Sequence, residues 1–155
     1  MKDRHFLQSQ LLQTAIIFLI IVALSYTVFP LLPVSVNYAL AAAVVGAFFL
    51  SEITAYALYT LLLLVWLKYA PSVTAELFFT AAASVAAFAV VRFLVLKKSF
   101  FMGLLMLACF HILFWLIFFE GTFFTSVYFY LEFLYTGALA ILLYGLHIWA
   151  QKISH

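Results

Sequence analysis

The chain has 155 residues, of which 70% are hydrophobic and only 8% charged. Five acids and seven bases leave a net charge of +2, too small and too dispersed for a nucleic-acid surface, and no basic run is longer than Lys97-Lys98. So little polar sequence leaves no material for a soluble domain, which needs about 50 residues or more of its own, and it predicts an integral membrane protein.

Lys2 and Arg4, an apolar run and then Ala23-Leu24-Ser25 have the layout of a secretory signal. The run continues through Phe29, longer than a signal core, so the better expectation is an uncleaved first span over residues 11–29. The next apolar stretch, from Val34 to Leu67, is about 50 Å long as a helix, too long for one span and short for two. Ser51, Glu52 and Thr54 interrupt it midway. Three further spans are expected over 73–96, 100–119 and 123–150. Cys109 lies inside the fifth run as a small packing residue and, being the only cysteine, forms no intramolecular disulfide.

The middle stretch is resolved by the retention of Lys and Arg on the cytoplasmic side. Two short spans, 34–50 and 53–67, put Lys2, Arg4, Arg92, Lys97, Lys98 and Lys152 inside and only Lys68 outside. A single span inverts everything after it and leaves three bases inside against four outside. The expected architecture is therefore all-α: one domain, residues 1–155, a bundle of six transmembrane helices with both termini cytoplasmic. Pro30, Pro33, Pro71 and Gly121 fall at the expected joints. Tyr26, Trp66, Tyr69 and Trp149 fall near expected interfaces.

Small residues gather in the second span (Ala39, Ala41, Ala42, Ala43, Gly46) and the fourth (Ala81 to Ala83, Ser84, Ala86, Ala87, Ala89). They suit close helix approach, either inside the bundle, the favoured reading, or at a dimer surface. Glu132, about ten residues into the last span, is the sharpest feature, because an ionisable group there must face protein or water. In an antiparallel hairpin His111 shares its depth. A His111–Glu132 hydrogen bond would offset part of the burial cost of each, as a proton-handling pair or as a structural pin, the latter being favoured. Glu52 at the inner hinge and Arg92 near the inner end of the fourth span are placed for a salt bridge, with snorkelling of Arg92 the favoured alternative. With Lys97 and Lys98 they are the candidate contacts for a cytoplasmic partner. Asn37 and Glu76 lie near outer ends. His5, His147 and His155 are expected to be terminal or interfacial, with no metal site, because no Cys or acidic cluster accompanies them. No Ser, His and Asp share a depth, so neither an enzyme nor a cofactor is expected.

From Leu61 the chain reads LLLLVWLKYAPSVTAELFFTAAASVAAFAVVRFLVLKKSFF, followed by two closing spans. An apolar run ending in a polar turn, a small-residue helix ending in Arg, a basic inner loop and a helical pair resemble the MreD family of rod-shape-determining membrane proteins, most strongly from Leu61 to Ala150. Where that family often has a Gly-rich stretch with an Asp, this chain has Val65, Trp66, Leu67 and Lys68. The resemblance implies a non-enzymatic scaffold of cell-wall elongation in the bacterial inner membrane, surrounded by lipid and partnered with MreC-like proteins, wall synthases and the MreB filament. The layout also resembles the substrate-binding S components of energy-coupling-factor transporters, which implies an outer cavity for a small molecule. Glu132, His111, Trp115, Tyr128 and Asn37 are the residues that would line it. The discriminator is the polarity of the outer half: a vitamin pocket needs convergent polar groups, whereas a scaffold can fill that space with Phe and Leu.

Overall fold

The structure is a computed structural model that describes residues 2–27, 31, 37–68, 74–94, 99–119 and 126–153; within its helices the side chains of 2–7, 67, 68, 74, 76 and 153 fall outside that description. Its elements are all helices: α1 (Lys2–Thr27), α2 (Tyr38–Phe49), α3 (Ile53–Lys68), α4 (Thr74–Phe93), α5 (Phe100–Phe118) and α6 (Val127–Ile153). Pro30, Pro33, Pro71, Gly121, Lys97 and Lys98 lie outside the described residues, as do Tyr69 and His155. Three helical stretches are long and apolar enough to cross a membrane: Gln8–Thr27, Phe100–Phe118 and Val127–Lys152. The apolar parts of the other three are shorter: Tyr38–Phe49, Ile53–Trp66 and Leu77–Phe93.

The six helices are arranged as a ring around an axle. Helices α1, α3, α4, α5 and α6 pack on one another in that order, and α6 returns to α1. Helix α2 stands inside, against α3, α4, α5 and α6. Its composition permits the position, because a helix apolar on every side and rich in small residues can be packed against from all directions. Every residue from Ala39 to Phe48 is buried. The small residues of α2 thus serve packing within the chain, where they let four neighbours approach closely. At Gly46 the approach is close enough to exclude a side chain: a Cβ there would lie 2.6 Å from Cε1 and 2.9 Å from Cδ1 of the buried Tyr59 ring.

Polar side chains tie the axle to the ring. The Tyr56 hydroxyl, on α3, lies 3.1 Å from the Ala43 carbonyl of α2 and 2.9 Å from the Ser84 carbonyl of α4. Its ring stacks on Phe88 at 4.7 Å. At the α2–α3 break, Gln10 of α1 makes two bonds: its Nε2 donates to Ser51 Oγ (3.0 Å) and its Oε1 accepts the Glu52 backbone N–H (3.2 Å). Gln10 is itself buried, with Gln13 and Thr14 beside it on the same face of α1.

Candidate functional site

Helices α5 and α6 meet along a ladder of rings that sets their register. Phe100 meets Tyr144 at one end (5.0 Å between ring centroids), and Trp115 meets Phe129 toward the other (5.5 Å). Between them the His111 ring lies 5.2 Å from Phe129 and 5.3 Å from Phe133. His111 and Glu132 therefore share a depth, since 129 and 133 bracket 132 on α6. The hydrogen bond to the carboxylate nevertheless comes from elsewhere: Trp115 Nε1 donates to Glu132 Oε2 at 2.9 Å, in a buried setting. Neither nitrogen of the fully buried His111 completes a hydrogen bond, although the Phe129 backbone stands beside the ring. The expected His111–Glu132 bond is not formed. The longer indole crosses to the carboxylate from one turn further along α5.

Thr136 lies one turn below Glu132 on the same face of α6 and is fully buried. Its hydroxyl accepts the Asn37 backbone N–H at 3.2 Å. Asn37 is the N-cap of α2, and its side chain accepts the Leu40 N–H at 3.1 Å. The capped start of the axle thus sits against the middle of α6. A polar track runs Asn37, Thr136, Glu132, Trp115, with His111 at its edge. Tyr128 does not join it: that side chain is 64% exposed.

Around the track the space is filled with rings. Phe114, Trp115 and Phe129 form a buried cluster, with Phe79, Ile112 and Phe118 packed against it. Trp115 also stacks on Phe119 at 4.2 Å. The chemistry available here is hydrogen bonding, from an indole donor, a carboxylate acceptor and an imidazole that can take either role. Among the described residues no three His, Cys, Asp or Glu converge in a way that would hold a metal ion.

Comparisons with protein-family models, with curated proteins and with solved structures find no match to this chain.

The remaining candidates are dispersed. Glu52 and Arg92 are both exposed, and no ion pair joins them among the described residues. Lys97 and Lys98 lie outside the described residues. His147, expected at an interface, is buried instead: its Nδ1 lies 2.9 Å from the Leu143 carbonyl, and its ring stacks on Phe49 at 4.7 Å. The reason is register, since Leu143 and His147 share the α6 face turned toward the foot of α2.

Sequence reasoning passed over Thr136, Gln10 and Tyr56. A signal existed for the first, four residues from Glu132 and so on its face. One existed for the second too, because Gln10, Gln13 and Thr14 recur at i, i+3 and i+4. None existed for Tyr56, one tyrosine among nine in an aromatic chain.

Proposed function

We propose that the chain is a non-enzymatic scaffold of the bacterial inner membrane, spanning it six times with both termini cytoplasmic, and that it serves cell-wall elongation and rod-shape determination beside MreC-like and wall-synthase partners. The observation that carries the scaffold reading is the packing of rings around Glu132 among the described residues. The axle is packed on all sides, and the half of the bundle around Glu132 is occupied by Phe79, Phe114, Trp115, Phe118 and Phe129. A small-molecule carrier needs several polar groups turned into a cavity there. The elongation setting rests on the MreD-like layout from Leu61 to Ala150 alone.

Membrane placement is supported by the three long apolar helices and by the outward face of the ring, where Phe78, Val85, Phe101, Leu105 and Ile141 are all exposed. Six spans agree with the asymmetry of Lys and Arg. Helix α2, 12 residues or about 18 Å, is shorter than the ~30 Å hydrocarbon layer. Enclosure resolves this, because backbone that is not helical is tolerated at membrane depth when protein satisfies it. Thr136 serves the Asn37 N–H at one end of α2, and Gln10 serves the Glu52 N–H just past the other.

The test is affinity purification of the tagged chain from its native membrane in mild detergent, with mass spectrometry of what accompanies it. MreC-like proteins and wall synthases are expected, with Glu132→Gln recovering them to the same extent as wild type. Recovery of a transport ATPase, or of the chain alone with a bound metabolite lost in Glu132→Gln, would overturn the reading in favour of a carrier.

A further inference from the structure

Two titratable side chains are buried at one level of the α5–α6 pair. His111 is fully buried and Glu132 nearly so. Trp115 touches both: its Nε1 donates to Glu132 Oε2 at 2.9 Å, and its ring centroid lies 6.5 Å from that of His111. His111 in turn packs against Phe129 and Phe133, which bracket Glu132 along α6. Neither imidazole nitrogen completes a hydrogen bond, so the ring is open to take up or release a proton.

Among the described side chains, the neighbouring elements bring no fixed charge to this level. Helix α2 contributes Asn37, through Thr136, and α4 contributes Phe79, through Phe114. Arg92 of α4 is exposed. Helix α1 has no acid or base from Gln8 to Thr27, and neither Lys nor Arg occurs in α2 or α5. On α6 the first base after Glu132 is His147, which is bonded within its own helix, and Lys152 is about 30 Å further along the axis than Glu132. A lone carboxylate at membrane depth is costly, and so is a lone imidazolium. The pair avoids both by staying neutral, as acid beside imidazole or as carboxylate beside imidazolium. Each of these forms carries one proton, and they differ only in whether it sits on a Glu132 oxygen or on a His111 nitrogen. We propose that His111 and Glu132 together form an intramembrane proton-binding site that holds one exchangeable proton, with Trp115 orienting the carboxyl group.

The site rests on the membrane placement given above and not on the elongation setting, so a pull-down that returns no wall synthase leaves it standing. The experiment treats the full chain in phosphatidylcholine liposomes with dicyclohexylcarbodiimide over a pH series and maps the adduct by mass spectrometry. This apolar reagent takes the proton of a carboxylic acid at nitrogen while the carboxyl oxygen bonds to its central carbon. An adduct at Glu132 is expected, absent in Glu132→Gln. Its rate of formation should fall about tenfold per pH unit above the midpoint, as release of one proton requires. His111→Leu should move that midpoint by about one pH unit or more, the scale of coupling between two groups that share a proton. In isotope-labelled wild type the nuclear resonance signals of the His111 nitrogens should change over the same pH range, a readout that decides by itself if His111→Leu does not fold. No adduct at Glu132, a rate independent of pH, an unmoved midpoint in His111→Leu, or nitrogen signals that do not follow the labelling would each overturn the site.

Discussion

At the scale of single residues, the contrast between Trp115 and His111 decides what the polar track contributes. Trp115→Phe replaces the indole by a smaller ring and removes the donor to a buried carboxyl group, at an expected cost of at least about 1–3 kcal/mol. His111→Leu removes a side chain that completes no hydrogen bond, and should stay within about 1 kcal/mol of wild type. Thermal melting of the two variants in one detergent checks both; equal losses would mean that the imidazole has a partner as strong as the indole's. Two glycines make a second pair. Gly46→Ala drives a methyl group into the Tyr59 ring, and overpacking of this kind costs about 1–3 kcal/mol. Gly137→Ala, where nothing lies within 4 Å of the new Cβ, should instead stabilise α6 by about 0.5–1 kcal/mol. Matching melting shifts for the two would contradict the close approach of Tyr59 to α2.

Among the elements, α2 depends most on its neighbours. Twelve residues form a marginal helix by themselves, and its stability comes from enclosure and from the bonds at its ends. Gln10→Leu removes both bonds at the α2–α3 break and leaves the Glu52 N–H without its acceptor. Amide exchange over residues 50–54 should then quicken by about tenfold or more, the equivalent of one lost hydrogen bond. Exchange confined to that hinge is the expected signature. Uniform acceleration over all six helices would show that Gln10 supports the whole bundle and not the hinge alone.

For the whole molecule, the proposed alternation of six spans has a direct test. With Cys109 replaced by Ser, single cysteines at positions 98 and 121 should be labelled from opposite sides by an impermeant maleimide, position 98 from the cytoplasm and position 121 from outside. Labelling of both from the same side would remove a span between them and with it the six-span arrangement. The ring also bears on where partners attach. Helix α2 is enclosed, so among the described residues the surfaces open to another molecule are the outward faces of α1, α3, α4, α5 and α6 and the ends of the helices, where Glu52 and Arg92 are exposed.

Much of this was legible in residue order, and for a clear reason: long apolar runs broken by Pro, Gly and charge have few physical options, and helix formation depends on neighbours in the chain. The six helices follow from that, as does the depth shared by His111 and Glu132, which needs only a hairpin and a rise per residue. The partner of Glu132 did not follow, because a choice between Trp115 and His111 turns on side-chain length and on rotation about the α5 axis. Composition says of α2 only that it is apolar all round and rich in small residues. That it is the axle, with Thr136 and Gln10 meeting its ends, was decided by tertiary packing, since where a helix is apolar on every side no periodicity marks which face meets which neighbour.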